Sequence, residues 1–144
     1  MQAQDLIRQL NLERHPEGGW YAETWRAPAA QGERPGSTAI HYLLEARQES
    51  HWHRIDATEI WLWHRGDPLE LRLTRDGEGG HRSRVLGPGL LNGQRVQAVV
   101  RPGEWQAARA LEDKHGYCLV SCVVAPGFEF DGFELAPEGW EPAR

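Results

Sequence analysis

The chain has no apolar stretch approaching the ~20 residues that a bilayer-spanning helix needs. Its opening residues, MQAQDLIRQL, lack the apolar segment of a signal peptide. Basic runs are missing too. The arginines are scattered among acids and the formal charge is −5, which disfavours a nucleic-acid partner. Cysteine is scarce, with two in 144 residues, both in the strand-like segment GYCLVSCVVAP. Four positions apart on a strand, they face the same side about 13 Å apart at ~3.3 Å per residue. A disulfide needs its Cα atoms within ~7 Å, so Cys118 and Cys122 are expected as buried thiols. Internal repeats and low-complexity tracts are also lacking. Together these absences predict a cytoplasmic protein, with neither membrane nor nucleic acid as partner.

What is present is the composition of one folded domain: 40% hydrophobic and 26% charged residues over 144 positions. Sixteen glycines and nine prolines are spread along the chain, which predicts many short elements joined by turns. DLIRQLNL, from Asp5, places Leu6, Ile7 and Leu10 on one face of a short helix. Strands are expected at 20–26, 37–44, 52–53, 59–64, 69–74, 81–86, 95–100, 105–108, 117–124 and 133–135, with a Pro/Gly loop at 27–36 and a tail from Pro137. Roughly nine or ten strands at 8–12-residue spacing indicate a sandwich or barrel rather than a βαβ array.

The densest chemistry lies in SHWHRIDATEIWLWHRG, Ser50 to Gly66. Alternation on a strand puts Glu59, Trp61 and Trp63 on one face, and Ile60, Leu62 and His64 on the other. A carboxylate between two indoles suits a flat or sugar-like ligand, with Trp61 and Trp63 as stacking surfaces. The competing reading makes both indoles core and pairs Glu59 with an arginine.

His-x-His, then a Glu, then six residues and a Gly resembles the first motif of the cupin superfamily. More narrowly, PEGGWYAETWR (16–26), STAIHYLL (37–44), SHWHRIDATEIWLWHRGDPLEL (50–71), RPGEWQAAR (101–109) and APGFEFDGFEL (125–135) resemble the cupin_5 group, a domain of unknown function. The resemblance runs from about residue 6 to 135. It implies an all-β, RmlC-like jelly-roll barrel with a short N-terminal helix. It also implies a divalent metal (iron, manganese, nickel or zinc) held by His51, His53, Glu59 and a residue of the second motif.

Carried over residue by residue, the metal motif departs from its pattern. His51 and His53 leave five residues before Glu59, one more than the motif allows. Starting the motif at His53 restores the spacing but puts Ile55 in a ligand position. The fourth ligand falls on Gln106 or Ala107. A catalytic divalent site usually has at least three good protein ligands, so the donor count favours a lumen without metal. Its acid–base pair would be His53 with Glu59. In metal-free sugar epimerases, which cupins of this kind resemble, a tyrosine supplies the acid. Tyr117, Tyr42 and Tyr21 are the candidates, with Ser121 on the face of Tyr117. His51, Gln106, Tyr42 and Ser121 complete the expected ligand contacts.

His41 reads as a core or interface histidine, His15 as a loop residue, and His81 and His115 as solvated. Gly18-Gly19 and Pro126-Gly127 read as backbone geometry. Three functions compete: a metal-independent sugar or nucleotide-sugar epimerase or isomerase, a non-catalytic small-molecule-binding barrel, and a metal-dependent oxygenase or isomerase. The apolar WYAETWR strand could cover a barrel edge in a second copy, which predicts a homodimer.

Overall fold

Two facing β-sheets and one short helix make up the computed structural model, which describes residues 1–144. The helix, α1 (Ala3–Gln9), buries Leu6 and Ile7, and the Asp5 carboxylate accepts the Gln2 N–H at its start. Strands follow as β1 (Glu13–Arg14), β2 (Trp20–Arg26), β3 (Thr38–Glu45), β4 (Glu49–Ile55), β5 (Thr58–Gly66) and β6 (Leu69–Thr74). The rest are β7 (Arg82–Leu86), β8 (Gln97–Val100), β9 (Trp105–Ala110), β10 (Tyr117–Ala125) and β11 (Phe133–Leu135). One sheet is ordered β1-β2-β3-β10-β5-β8 and the other β11-β4-β9-β6-β7. The named strand pairs are all antiparallel. This is a jelly roll whose two sheets pack face to face without closing into one hydrogen-bonded barrel. No helix is long and apolar enough to cross a membrane.

The expected strands are present, most with edges moved by a residue or two; β4 begins three residues before the expected start, β1 is an added strand, and Arg75–Gly80 joins β6 to β7 as a hairpin. Alternation in LELRLT buries Leu69, Leu71 and Leu73 between the sheets. They meet Tyr42, Leu44, Trp61, Val120, Cys118 and Cys122 from the facing sheet. Both thiols are free and buried, as strand geometry requires. The tail packs: the Trp140 ring lies 5.8 Å from Trp52 and 4.8 Å from Trp105.

Leucines and one indole fill only part of the space between the sheets. At the end marked by the first residues of β5 and the last of β4, a cavity of about 280 Å³ remains.

Candidate functional site

Four ionisable side chains converge on the inner end of this cavity: His15, Glu17, His53 and Glu59. Each arrives by a different backbone device. Glu59 points inward from β5, opposite Val124 of β10 and Val100 of β8. His53 comes from β4, whose pairing with β9 shifts register between Ser50 and His53. That bulge breaks the alternation: His51 and Trp52 both turn outward, His51 to Pro137 O and Trp52 against Trp105 and Ala107, while His53 and Ile55 face inward.

Glu17 is delivered by a turn. In HPEGG the Gly18 N–H donates to His15 O at 3.0 Å, and His15 N–H to Gly19 O at 2.9 Å. Gly18 has φ +108°, and a Cβ there would overlap the Glu49 carbonyl. The loop is thereby laid against β4, and the His51 N–H donates to Glu17 O at 2.8 Å. The Tyr42 hydroxyl donates to Gly18 O, holding the turn from below.

His53 Nδ1 lies 2.7 Å from His51 O. A carbonyl can only accept, so Nδ1 carries the proton and the neutral ring presents its Nε2 lone pair elsewhere. That atom sits 3.0 Å from Glu17 Oε2. Burial pushes the Glu17 carboxyl upward, opposed mainly by His15, and pushes His53 downward, opposed mainly by Glu59. Both shifts favour the neutral partners, with one proton between Glu17 and His53. His15 accepts the Glu17 N–H at Nδ1, 3.1 Å away, and burial lowers its pKa as well.

Glu59 is 7% exposed, and burial raises its pKa to about 7 against the opposing influence of His53. Gln106 Nε2 donates to Glu59 Oε1 at 2.7 Å, and Trp61 Nε1 donates to Gln106 Oε1 at 2.8 Å. No other N–H or O–H of the protein hydrogen-bonds the Glu59 carboxyl, and the Cys122 thiol lies against it. Burial holds that thiol well above its usual range, so it stays neutral.

The structure redistributes the residues picked out from sequence. Glu59 and His53 line the cavity as expected, and Tyr21 stands on its wall. Trp61 and Trp63 share the inward face with Glu59 but do not reach the cavity. Trp61 is core, edge-on to Tyr42, and Trp63 packs against the same core, with its Nε1 donating to Asp67 O. Gln106 supports Glu59 from behind. Tyr42 supports the turn and lies outside the lining.

His51 is turned away from His53, its Nε2 3.0 Å from Pro137 O on the outer surface. Tyr117 is buried under α1 with Leu6, Ile7 and Leu43, and cannot act in the lumen. Ser121 faces outward as well, between His64 and His41 at 2.7 and 3.4 Å. His51, His53, Glu59 and Gln106 therefore do not converge, and no group of three His, Cys, Asp or Glu side chains is arranged around one cation position. The residues present do not fit the metal that the cupin fold implies.

His15 and Glu17 are the functional candidates that motif reasoning passed over. Their signal was Gly18-Gly19: two adjacent glycines at positive φ mark a place where backbone enters a crowded site.

The mouth is aromatic. Phe128, Phe130 and Phe133 line one side, with ring centroids 5.0 to 6.1 Å apart. Arg26 and Arg34 hold this segment by its backbone, donating to Phe128 O at 3.1 Å and Gly127 O at 2.7 Å.

A family model described as Cupin_5, Cupin superfamily (DUF985), matches residues 4–136. An uncharacterized protein of Saccharomyces cerevisiae is 31% identical, over 89% of this chain and 72% of its own. A solved structure of a hypothetical protein from Leishmania major superposes with a TM-score of 0.87 at 31% identity, covering 97% of this chain and 90% of that one. A protein from Shewanella oneidensis gives a TM-score of 0.86 at 36% identity, with 94% and 85% covered.

Proposed function

The chain belongs to the Cupin_5 family of the cupin superfamily, and from that premise we propose that it is a metal-independent acid–base enzyme of the isomerase or epimerase kind. The fold is one that binds small molecules. The observation that carries the catalytic reading is the 3.0 Å approach of His53 Nε2 to Glu17 Oε2 in a buried cavity.

A base must sit within about 2.6–3.2 Å of the proton it exchanges, with a pKa near working pH. Backbone fixes the tautomer of His53, and Glu17 faces its free nitrogen, so their shared proton can pass to a ligand atom lodged beside them. Glu59, on the facing sheet and with a pKa of about 7, is the second exchangeable group. In an epimerisation, one carboxyl or imidazole takes the proton from a carbon next to a carbonyl. The other returns a proton to the opposite face, and the charge on the protein is restored.

The test is proton NMR in deuterium oxide on a panel of small carbonyl compounds, epimerisable sugars among them. Expected are enzyme-dependent deuterium at a carbon next to the carbonyl and resistance of that exchange to chelator. Loss in Glu17→Gln and His53→Gln would support the pair. A folded wild-type protein that exchanges nothing across the panel would make the barrel a binding module, and thermal stabilisation by ligand without turnover would be its signature.

A further inference from the structure

We propose that the ligand of this cavity is an organic cation: a small ammonium compound with an aromatic or bulky apolar group. The inference rests on reading the cavity as the ligand site and names the chemical class it takes.

Charge comes first. Glu13, Glu17, Glu23 and Glu59 line the space, against one cationic side chain, Arg26. Arg26 is already spent on Glu23, donating to both carboxylate oxygens at 2.9 and 2.8 Å. Glu13 and Glu59 are left with no arginine or lysine in the cavity, while burial favours the neutral forms of Glu17, His15 and His53. An anionic ligand meets repulsion here, and a cation supplies the missing charge.

The second observation is independent of the first. Glu59 lines the cavity on a side chain more than nine-tenths buried; Gln106 engages one oxygen, and beyond that the carboxyl has only the weak S–H donor of Cys122 and no further N–H or O–H partner. Buried polar atoms are ordinarily satisfied, and an ammonium N–H or its positive face would satisfy this carboxyl.

The walls agree. Tyr21, Phe128, Phe130 and Phe133 surround the approach to the acids, and aromatic faces attract ammonium groups. The indoles expected to stack a sugar are in the core instead. Acid-floored and phenyl-walled, the cavity suits a hydrophobic amine better than a polyhydroxylated ring.

Four probes of one shape isolate the charge: benzyltrimethylammonium, benzylammonium, benzyl alcohol and benzoate, titrated calorimetrically into the full chain at neutral pH. The two cations should bind at least about tenfold tighter than benzyl alcohol, since aromatic faces attract a desolvated ammonium, and benzoate should not bind. Glu59→Gln should erase the cation preference, bringing both cations to about the affinity of benzyl alcohol. Phe130→Ala, at a largely exposed ring, should weaken both cations with the fold intact by circular dichroism. Equal affinity for benzyl alcohol, tighter binding of benzoate, or no binding by any probe would overturn the proposal. Deuterium exchange is read separately, so cation binding without exchange would remove the acid–base reading alone.

Discussion

Trp61 and Glu59, two residues apart on the inward face of β5, are joined by the amide of Gln106. Gln106 accepts from the indole at 2.8 Å and donates to the carboxyl at 2.7 Å. The motif position where a cupin would carry a metal-binding histidine thus holds a spacer between core and cavity. Gln106→Leu would leave an indole N–H and a carboxyl oxygen without partners in a buried place. Each such group costs about 1–3 kcal/mol, so urea denaturation should show a loss of about 2–6 kcal/mol.

Glu59 also sets a pH dependence. Its pKa in the folded chain is about 7 against 4.5, so between these values the folded state binds more protons than the unfolded one. Its contribution is then fully present below pH 4.5 and lost as pH rises through 7, with a slope of at most about 1.4 kcal/mol per pH unit. His15 and His53, shifted downward, act in the opposite sense. Comparing Glu59→Gln with wild type cancels the His15 contribution. The His53 contribution changes too, because Glu59 opposes its downward shift, and that change acts in the same direction as the loss of Glu59 itself. The variant should gain stability relative to wild type from pH 5 to 8, and a difference independent of pH would contradict the burial argument.

Glu17→Gln keeps the shape of the side chain and removes the proton it shares with His53. Any exchange activity should fall by about 10²–10⁴-fold, the usual contribution of a positioned acid or base. Stability should hold or rise, because a carboxyl buried without a cation is itself costly. Rates from NMR and midpoints from thermal melting together separate the two effects.

His51→Ala and Tyr117→Phe serve as controls. His51 meets only Pro137 O at the surface, and Tyr117 packs its ring beneath α1. Both variants should exchange deuterium and bind ligand as wild type does, with stability changed by about 1 kcal/mol or less, as for most substitutions that leave packing intact. Activity lost in Tyr117→Phe would return that tyrosine to the mechanism.

Gly18→Ala probes the turn. A Cβ there overlaps the Glu49 carbonyl, and φ of +108° is strained for any L side chain. The cost should be about 1–3 kcal/mol, together with weakened ligand binding as Glu17 moves. Unchanged binding would show that the two glycines do not position the acid.

Period-two alternation and turn residues made most strands readable, because each strand buries one face against the other sheet. LELRLT, TEIWLWHR and YCLVSCVVA carry that constraint in their own order of residues, and alternation put Glu59 and His64 on opposite faces of β5, without deciding which face looks inward. The resemblance to the cupin_5 group, spread over ordered blocks, supplied the jelly roll that strand counting alone could not choose.

The cavity's composition was another matter. Whether an inward side chain meets ligand or core depends on its height between the sheets, which alternation does not encode: Glu59 and Trp61 share a face, yet one lines the cavity and the other fills the core. A bulge in β4 sent His51 and His53 to different sides, although their spacing had suggested a pair. His15 and Glu17 reached the floor through a loop, and Glu17 made its contact with His53 across some 36 residues of chain. Local order of residues determined the strands and their faces, because burial acts on each strand separately. Tertiary packing decided which ionisable groups meet, because that is settled only where loops and sheets from distant parts of the chain close on the same space.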